Sequence, residues 1–320
     1  MKESTITDKL GRSFKTLRVS LTSACNLACL YCVDEGASVK EPVKSDLLST
    51  SEYLRIIRGI HESVGLETVR LTGGEPLLYK NITDLISGIK KMGVPEVKIT
   101  TNGSLLSKLA PRLAAAGLDS ANVSLDAADP AAFQNMTRRK NIGQVLEGIE
   151  GALESGISLK LNSVIMKHVN HGQILPLLKF AGERNLVIRF LELMQMGHLY
   201  DKHNSFLFSQ DEILKEISTR HGIYALERKP GATARYWRTA SGQLFGIIAN
   251  ESEPFCRDCT RLRLDSHGNI YGCLSNSNGI KISHVAGRKE DLDSSLRLAL
   301  AQKQQQEFTG SKTSMKYIGG

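Results

Sequence analysis

The chain has 320 residues, 41 % of them hydrophobic and 23 % charged, a globular composition that excludes a disordered chain or a coiled coil. With 41 Lys and Arg against 33 Asp and Glu, the formal net charge is +8, which suits an anionic partner, nucleic acid or a phosphorylated small molecule, without choosing between them. No stretch is long and apolar enough for a transmembrane helix and the opening residues lack the apolar core of a signal peptide, so a cytoplasmic protein of one large or two modest domains is expected.

Residues 17–22 read as a first strand, followed by a cysteine-bearing loop. Leu54, Ile57, Ile60 and Val64 recur at close to helical spacing and predict a helix over 51–64. Residues 68–72 form a second strand, closed by Gly73-Gly74-Glu75-Pro76. A helix over 82–91 stops at Gly93, a strand over 97–101 turns at Asn102-Gly103, and a helix over 105–116 ends at Gly117. Then come a strand at 121–125, a helix at 141–155, a strand at 157–165, a helix at 171–184 and a sixth strand at 186–193. Strands alternating with crossover helices predict an α/β fold with a parallel sheet, either an open doubly wound sheet or a barrel. In both, chemistry gathers at the C-terminal ends of the strands, where the polar clusters of this chain fall. Around residue 200 the rhythm changes to a helix at 210–220, short strands across 223–248, and a Lys/Gln-rich helix at 292–307. The expected division is therefore 1–200 and 201–320.

The six cysteines lie at 25, 29, 32, 256, 259 and 273, three near each end of the chain. In a reducing compartment such clustering reads as metal ligation and not as disulfides. Cys25, Cys29 and Cys32 form CxxxCxxC, and three thiolates on one loop can hold an iron–sulfur cluster while leaving one iron open to a further ligand. Structural zinc is the alternative, with His61 the next candidate ligand for the first set and His267 or His284 for Cys256, Cys259 and Cys273. No GxxxxGK[ST] phosphate loop is present.

CxxxCxxC with Tyr31 before its last cysteine, directly after a first strand, resembles the radical S-adenosylmethionine (SAM) superfamily. So do Gly73-Gly74-Glu75-Pro76, Thr100-Thr101-Asn102-Gly103 and Ser124-Leu125-Asp126, which follow in family order. The spacing Cys256-x2-Cys259-x13-Cys273, with Arg261-Leu262-Arg263-Leu264 after it, is similar to the GTP 3′,8-cyclase family. The opening Gly11-Arg12…Leu17-Arg18-Val19-Ser20, Lys160-Leu161-Asn162, Arg189-Phe190-Leu191-Glu192 and the Gly319-Gly320 end carry the same likeness, which runs from about residue 5 to the end of the chain.

The resemblance implies a partial (βα)6 TIM-like radical SAM barrel with a C-terminal iron–sulfur extension. It implies a [4Fe–4S] cluster on Cys25, Cys29 and Cys32 whose open iron chelates SAM, and a second on Cys256, Cys259 and Cys273 that binds the purine of GTP. SAM would meet Tyr31, Gly73, Gly74, Glu75, Thr101, Ser124 and Asp126. GTP would meet Arg18, Arg70, Lys160, Arg189, Arg261 and Arg263, whose guanidinium forks suit phosphate oxygens. A 5′-deoxyadenosyl radical would take hydrogen from C3′ of the ribose, and C3′ would then attack C8 of guanine to give 3′,8-cyclo-7,8-dihydro-GTP, the first step toward molybdopterin. Arg261, Arg263, Gly319 and Gly320 would serve catalysis, the two glycines by entering the chamber. The implied partners are an electron donor such as flavodoxin and, by product hand-off, cyclic pyranopterin monophosphate synthase, with no membrane or nucleic acid; a homodimer is compatible.

Ala24, Thr68 and Thr260 depart from the family pattern of Arg, Lys and Asn, which touches individual phosphate contacts and no cluster ligand. Other readings are a radical SAM enzyme acting on another purine nucleotide or on a peptide, and a zinc protein that binds nucleic acid. Six cysteines with none spare argue against the peptide enzyme, and 6 % aromatics with scattered basic residues argue against the nucleic-acid binder.

Overall fold

The computed structural model describes residues 6–34 and 47–319. β1 (Thr16–Ser20) leads to the cysteine loop and α1 (Thr50–Val64); then come β2 (Thr68–Thr72), α2 (Ile82–Lys91), β3 (Glu96–Thr101), α3 (Leu106–Ala115) and β4 (Ser120–Ser124). α4 (Pro130–Thr137) and α5 (Ile142–Glu154) precede β5 (Ser158–Ile165), and α6 (Ile174–Gly182) precedes β6 (Val187–Glu192). Next are α7 (His203–Phe206), α8 (Gln210–Ser218), β7 (Ile223–Ala225), β8 (Arg235–Thr239), β9 (Leu244–Ile248), β10 (Arg261–Leu264), β11 (Asn269–Tyr271), β12 (Ile280–Lys281), α9 (Lys289–Ala301) and α10 (Met315–Ile318).

β1 through β6 run parallel in chain order, as the alternation of strands and helices predicts. The sheet does not end there. β10 adds in parallel beside β1 and β9 in parallel beside β6, and antiparallel strands then extend both edges, giving twelve strands in the order β12-β11-β10-β1-β2-β3-β4-β5-β6-β9-β8-β7. Residues beyond 200 thus contribute to both flanks of one sheet, and Phe245, Ile247, Leu262 and Leu264 join the same apolar core as Leu17, Val69 and Val97.

Side chains alternate across each strand. On β1, Leu17 and Val19 are fully buried under the helices, while Arg18 points to the other face. β2, with Val69 and Leu71 against Arg70, and β3, with Val97 and Ile99 against Lys98 and Thr100, repeat the pattern. The helices bury one apolar face: Tyr53, Ile56, Ile57 and Ile60 of α1, whose start is fixed by a capping box of Ser49 and Glu52. Inward-facing residues from β1 to β6 line one common space, so the sheet curls around its polar face.

α4 was absent from the sequence reading. Its signal is Asp129-Pro130: the Asp129 carboxylate accepts from the amides of Ala131 and Ala132, and proline sits in the first turn. The last long helix ends at Ala301, not 307, because the chain turns there to send Lys303 inward.

Candidate functional site

The first cysteine loop is held from three sides. The turn after β2 packs against its start: Gly74 N–H donates to Thr22 O at 2.6 Å and Glu75 N–H to Ala24 O at 2.8 Å. Only glycine permits this approach, since a Cβ on Gly74 would lie 2.2 Å from Ala24 O and one on Gly73, at φ +146°, 2.5 Å from Thr22 O. Asn102 donates to Asn26 Oδ1 at 2.7 Å, and Ala28 and Leu30 N–H reach the carbonyls of Thr137 and Met136 at the end of α4.

Cys25, Cys29, Cys32, Tyr31, Gly73, Gly74, Thr101, Ser124 and Asp126 all line one cavity of about 170 Å³. Glu75 does not. It is fully buried behind the cavity, where its carboxylate accepts from Thr101 Oγ1 (2.6 Å), Asn102 N–H (2.7 Å) and Leu77 N–H (3.0 Å). It ties the second and third strand ends together instead of facing a ligand. Tyr31 donates to Asp126 Oδ2 at 3.0 Å, and Asp126 Oδ1 accepts from Val164 N–H at 2.8 Å. Burial pushes Glu75 up to about 7 and Asp126 up to about 6. Burial and then the neighbouring thiols and Asp126 push Cys32 up to about 12 and Cys29 well above its ordinary value. Three half-buried thiols that resist ionisation in their own company fit a cationic metal cluster, which would hold them as thiolates.

The second cavity, of about 410 Å³, is lined by Cys256, Cys259 and Cys273 together with Arg18, Arg70, Lys98, Arg189, Arg261 and Arg263. The sheet register explains the gathering. Arg263, Arg18, Arg70 and Lys98 sit side by side on β10, β1, β2 and β3. Like charges in such a row repel. Burial and then Arg263, Arg261 and Arg70 hold Arg18 well below its ordinary value, and burial and then Arg261 hold Arg263 down at about 10. Lys98 is paired with Glu96 at 2.6 Å, but no ion pair neutralises Arg18, Arg70, Arg189, Arg261 or Arg263 among the described residues. Arg18 Nε and Arg189 Nη2 are buried with no hydrogen-bond partner. Buried cations of this kind fit a polyanion. Burial opposes ionisation of Cys259, yet Arg261 and Lys303 hold its thiol down at about 6, whereas burial and the other two thiols push Cys256 up to about 11.

Lys160 lines neither cavity; its ammonium sits 3.4 Å from Tyr236 Oη, and Tyr236 forms the wall. Thr100, Asn162, Leu191 and Met315 line both cavities, so the two spaces adjoin. Asn162, which also accepts from Arg189 Nε at 2.9 Å, and Met315 were not among the sequence candidates for contact.

Met315 brings the tail to this junction, whereas Gly319, expected from the resemblance to enter the chamber, lines neither cavity. Gly319 is buried against β1 and β2, its carbonyl accepts from Arg263 Nη1, and its φ is +77°. A Cβ there would lie 2.5 Å from Thr72 Cγ2. Ile318 is buried beside Met196 and Tyr271. Gly320 lies outside the described residues.

Neither His61, His267 nor His284 completes a set, since no three Cys, His, Asp or Glu side chains converge as a single metal ion requires among the described residues. Nor is any helix there long and apolar enough to cross a membrane. A larger groove of about 1100 Å³ lies at the opposite, N-terminal ends of β6 and β9 and contains no cysteine.

Residues 19–181 match the model of the Radical SAM superfamily and residues 186–309 that of Molybdenum Cofactor Synthesis C. The chain is 40 % identical to the GTP 3′,8-cyclase of Staphylococcus carnosus over 276 residues, 84 % of this chain and 81 % of the relative. The GTP 3′,8-cyclases of a Synechocystis species and of Aquifex aeolicus are 37 % and 38 % identical, covering 88 % of this chain and 85 % and 88 % of theirs. Streptococcus suis SuiB, solved bound to S-adenosylmethionine, shares the fold with a TM-score of 0.60 at 16 % identity, over 89 % of this chain and 66 % of that one. Two family models matched in tandem, and relatives aligned over most of both lengths, place the chain in the GTP 3′,8-cyclase family of radical SAM enzymes, which carries out the first step of molybdenum cofactor biosynthesis.

Proposed function

We propose that this chain binds SAM against Cys25, Cys29 and Cys32, binds GTP against Cys256, Cys259 and Cys273, and joins C3′ of the ribose to C8 of the guanine. The observation that carries the reading is the unneutralised arginine row of Arg263, Arg18 and Arg70, which lines one cavity with the second thiol set. GTP bears close to four negative charges, and the row supplies fixed forked donors for them. SAM instead carries a sulfonium, an ammonium and a carboxylate group, and the first cavity offers Asp126, neutral donors and one cation, Lys316.

Each thiol set would hold one [4Fe–4S] cluster, two in all, because each brings three cysteines and no fourth. When bound, the clusters and SAM supply the electron and the radical that removes hydrogen from the ribose. The chain's own residues do the rest. Arg18, Arg70, Arg189, Arg261 and Arg263 orient the triphosphate so that the ribose points to the junction at Thr100, Asn162, Leu191 and Met315. Arg263, by also holding the Gly319 carbonyl, couples substrate binding to closure of the tail, and Ile318 and Met315 exclude water there. Residues 1–200 form the SAM-cleaving part with Arg18, Arg70 and Arg189 for the triphosphate, and residues 201–320 add the second thiol set, Arg261, Arg263 and the tail to one continuous sheet. A reducing protein such as flavodoxin supplies electrons, and the product passes to the next enzyme of the pathway.

Anaerobic incubation of the reduced, cluster-loaded enzyme with SAM and GTP tests the reading. It should release 5′-deoxyadenosine and a cyclised nucleotide in equal amounts. Cyclisation of another purine nucleotide but not of GTP would overturn the substrate assignment.

A further inference from the structure

We infer that Lys303 is a positioning residue that raises the reduction potential of the second iron–sulfur centre by donating to one of its ligand sulfurs; the inference rests on the two-cluster reading above. Lys303 follows α9 and turns inward, only 8 % exposed. Its ammonium has three protons and meets three acceptors: Cys259 Sγ at 3.2 Å, Arg261 O at 3.0 Å and Gly272 O at 3.0 Å. With every proton engaged, the head group is fixed in place. The acceptors come from both halves of the thiol set, for Arg261 follows Cys259 by two residues and Gly272 directly precedes Cys273. The Phe14 ring covers the ammonium from behind, 5.3 Å to its centroid.

Arg12 makes the useful contrast. It also reaches this loop, donating to Cys256 O at 2.5 Å and to Gln304 O at 3.0 Å, but its remaining nitrogens are taken by the Asp8 carboxylate, which cancels its charge locally. Lys303 has no carboxylate partner among the described residues and donates to sulfur itself. At the first thiol set the donors to sulfur are neutral: Leu27 N–H at 3.4 Å and Asn102 Nδ2 at 3.8 Å on Cys25, and the Tyr31 hydroxyl on Cys29. A short donor on a ligand sulfur stabilises the electron-richer state of a cluster and raises its potential. Lys303 lines neither cavity, so its effect passes through Cys259.

The test is an EPR-monitored redox titration of the anaerobically reconstituted full chain, wild type against Lys303→Met and Lys303→Gln, with iron counted in each. Wild type should hold about eight irons and two titrating centres, four irons per cluster; four irons and one centre would defeat the two-cluster reading and this inference with it. In Lys303→Met one midpoint should fall by at least a tenfold change in the one-electron equilibrium, about 59 mV, while the other stays. Lys303→Gln, which keeps an N–H donor, should fall by less. Unmoved midpoints with both centres intact would overturn the inference. So would loss of one centre's iron in both variants, which would make Lys303 only a strut.

Discussion

The two cavities share one curled sheet and one chemical group, three cysteines, yet their surroundings differ in charge: one acid and one lysine line the first, and five arginines line the second. Around Cys25, Cys29 and Cys32 the ionisable neighbours are Asp126, Glu75 and Tyr31 with one cation, Lys316 of the tail, and the thiols are still pushed up, chiefly by burial. Around Cys259 stand Arg261 and Lys303, and the thiol is pulled down to about 6. The same thiol triad thus stands in a nearly balanced setting on one side and in a strongly cationic one, suited to a polyanion, on the other. The difference arises from the strands that frame each cavity: β4 and the end of β5 bring Ser124, Asn162 and Asp126 to the first, while β10, β1 and β2 bring arginines to the second.

Removing either thiol set should break the comparison most severely. Cys25, Cys29 or Cys32→Ala should abolish SAM cleavage altogether. Cys256, Cys259 or Cys273→Ala should leave some uncoupled cleavage and no cyclised product. Chromatographic quantitation of 5′-deoxyadenosine and nucleotide product reads both, and equal cleavage by the two groups of variants would refute the division of labour.

The tail comes next, because its Met315 lines both cavities and Gly319 accepts from Arg263 of the second. Deleting Gly319 and Gly320 should nearly eliminate cyclised product while iron content and thermal stability hold. Gly319→Ala should act in the same direction, since its Cβ would collide with Thr72 and its φ of +77° disfavours any side chain. Full turnover by either variant would return the tail to a bystander.

A smaller, two-signed effect is expected of the arginine row. Arg18→Gln or Arg70→Gln should weaken GTP binding by about 1.5–3 kcal/mol, the cost of a charge-assisted contact, or roughly ten- to a hundredfold. The same changes should leave the GTP-free enzyme as stable as wild type or more so, because they relieve repulsion among neighbours. Calorimetric binding and melting of the same samples would separate these effects; lower stability with unchanged affinity would make the row structural.

The mildest test uses pH. Glu75 in the folded chain is raised from 4.5 to about 7 by burial. Its contribution is therefore fully present below about 4.5 and is lost as pH rises through about 7. Relative to Glu75→Gln, the wild-type chain should lose up to about 3 kcal/mol between these limits, at 1.36 kcal/mol per unit. Denaturant unfolding of both proteins across that range measures the slope, and parallel curves would show that Glu75 keeps its ordinary affinity for protons.

Local spacing alone determined a good deal: the six parallel strands, the two cysteine sets, and the glycine turn after β2, because period, ligand spacing and the absence of a Cβ act over a few residues. Tertiary structure decided the rest. Nothing near residue 261 says that β10 will pair beside β1, yet that pairing places Arg263 next to Arg18. Nor does the motif say that Glu75 turns back toward Thr101 and Asn102, or that Lys160 stops at Tyr236. Lys303, 44 residues from Cys259, could not be read as a partner of its sulfur from any local pattern. Side-chain direction and long-range register depend on how the sheet curls and which edge each late strand joins, and those choices are made by packing the whole core at once.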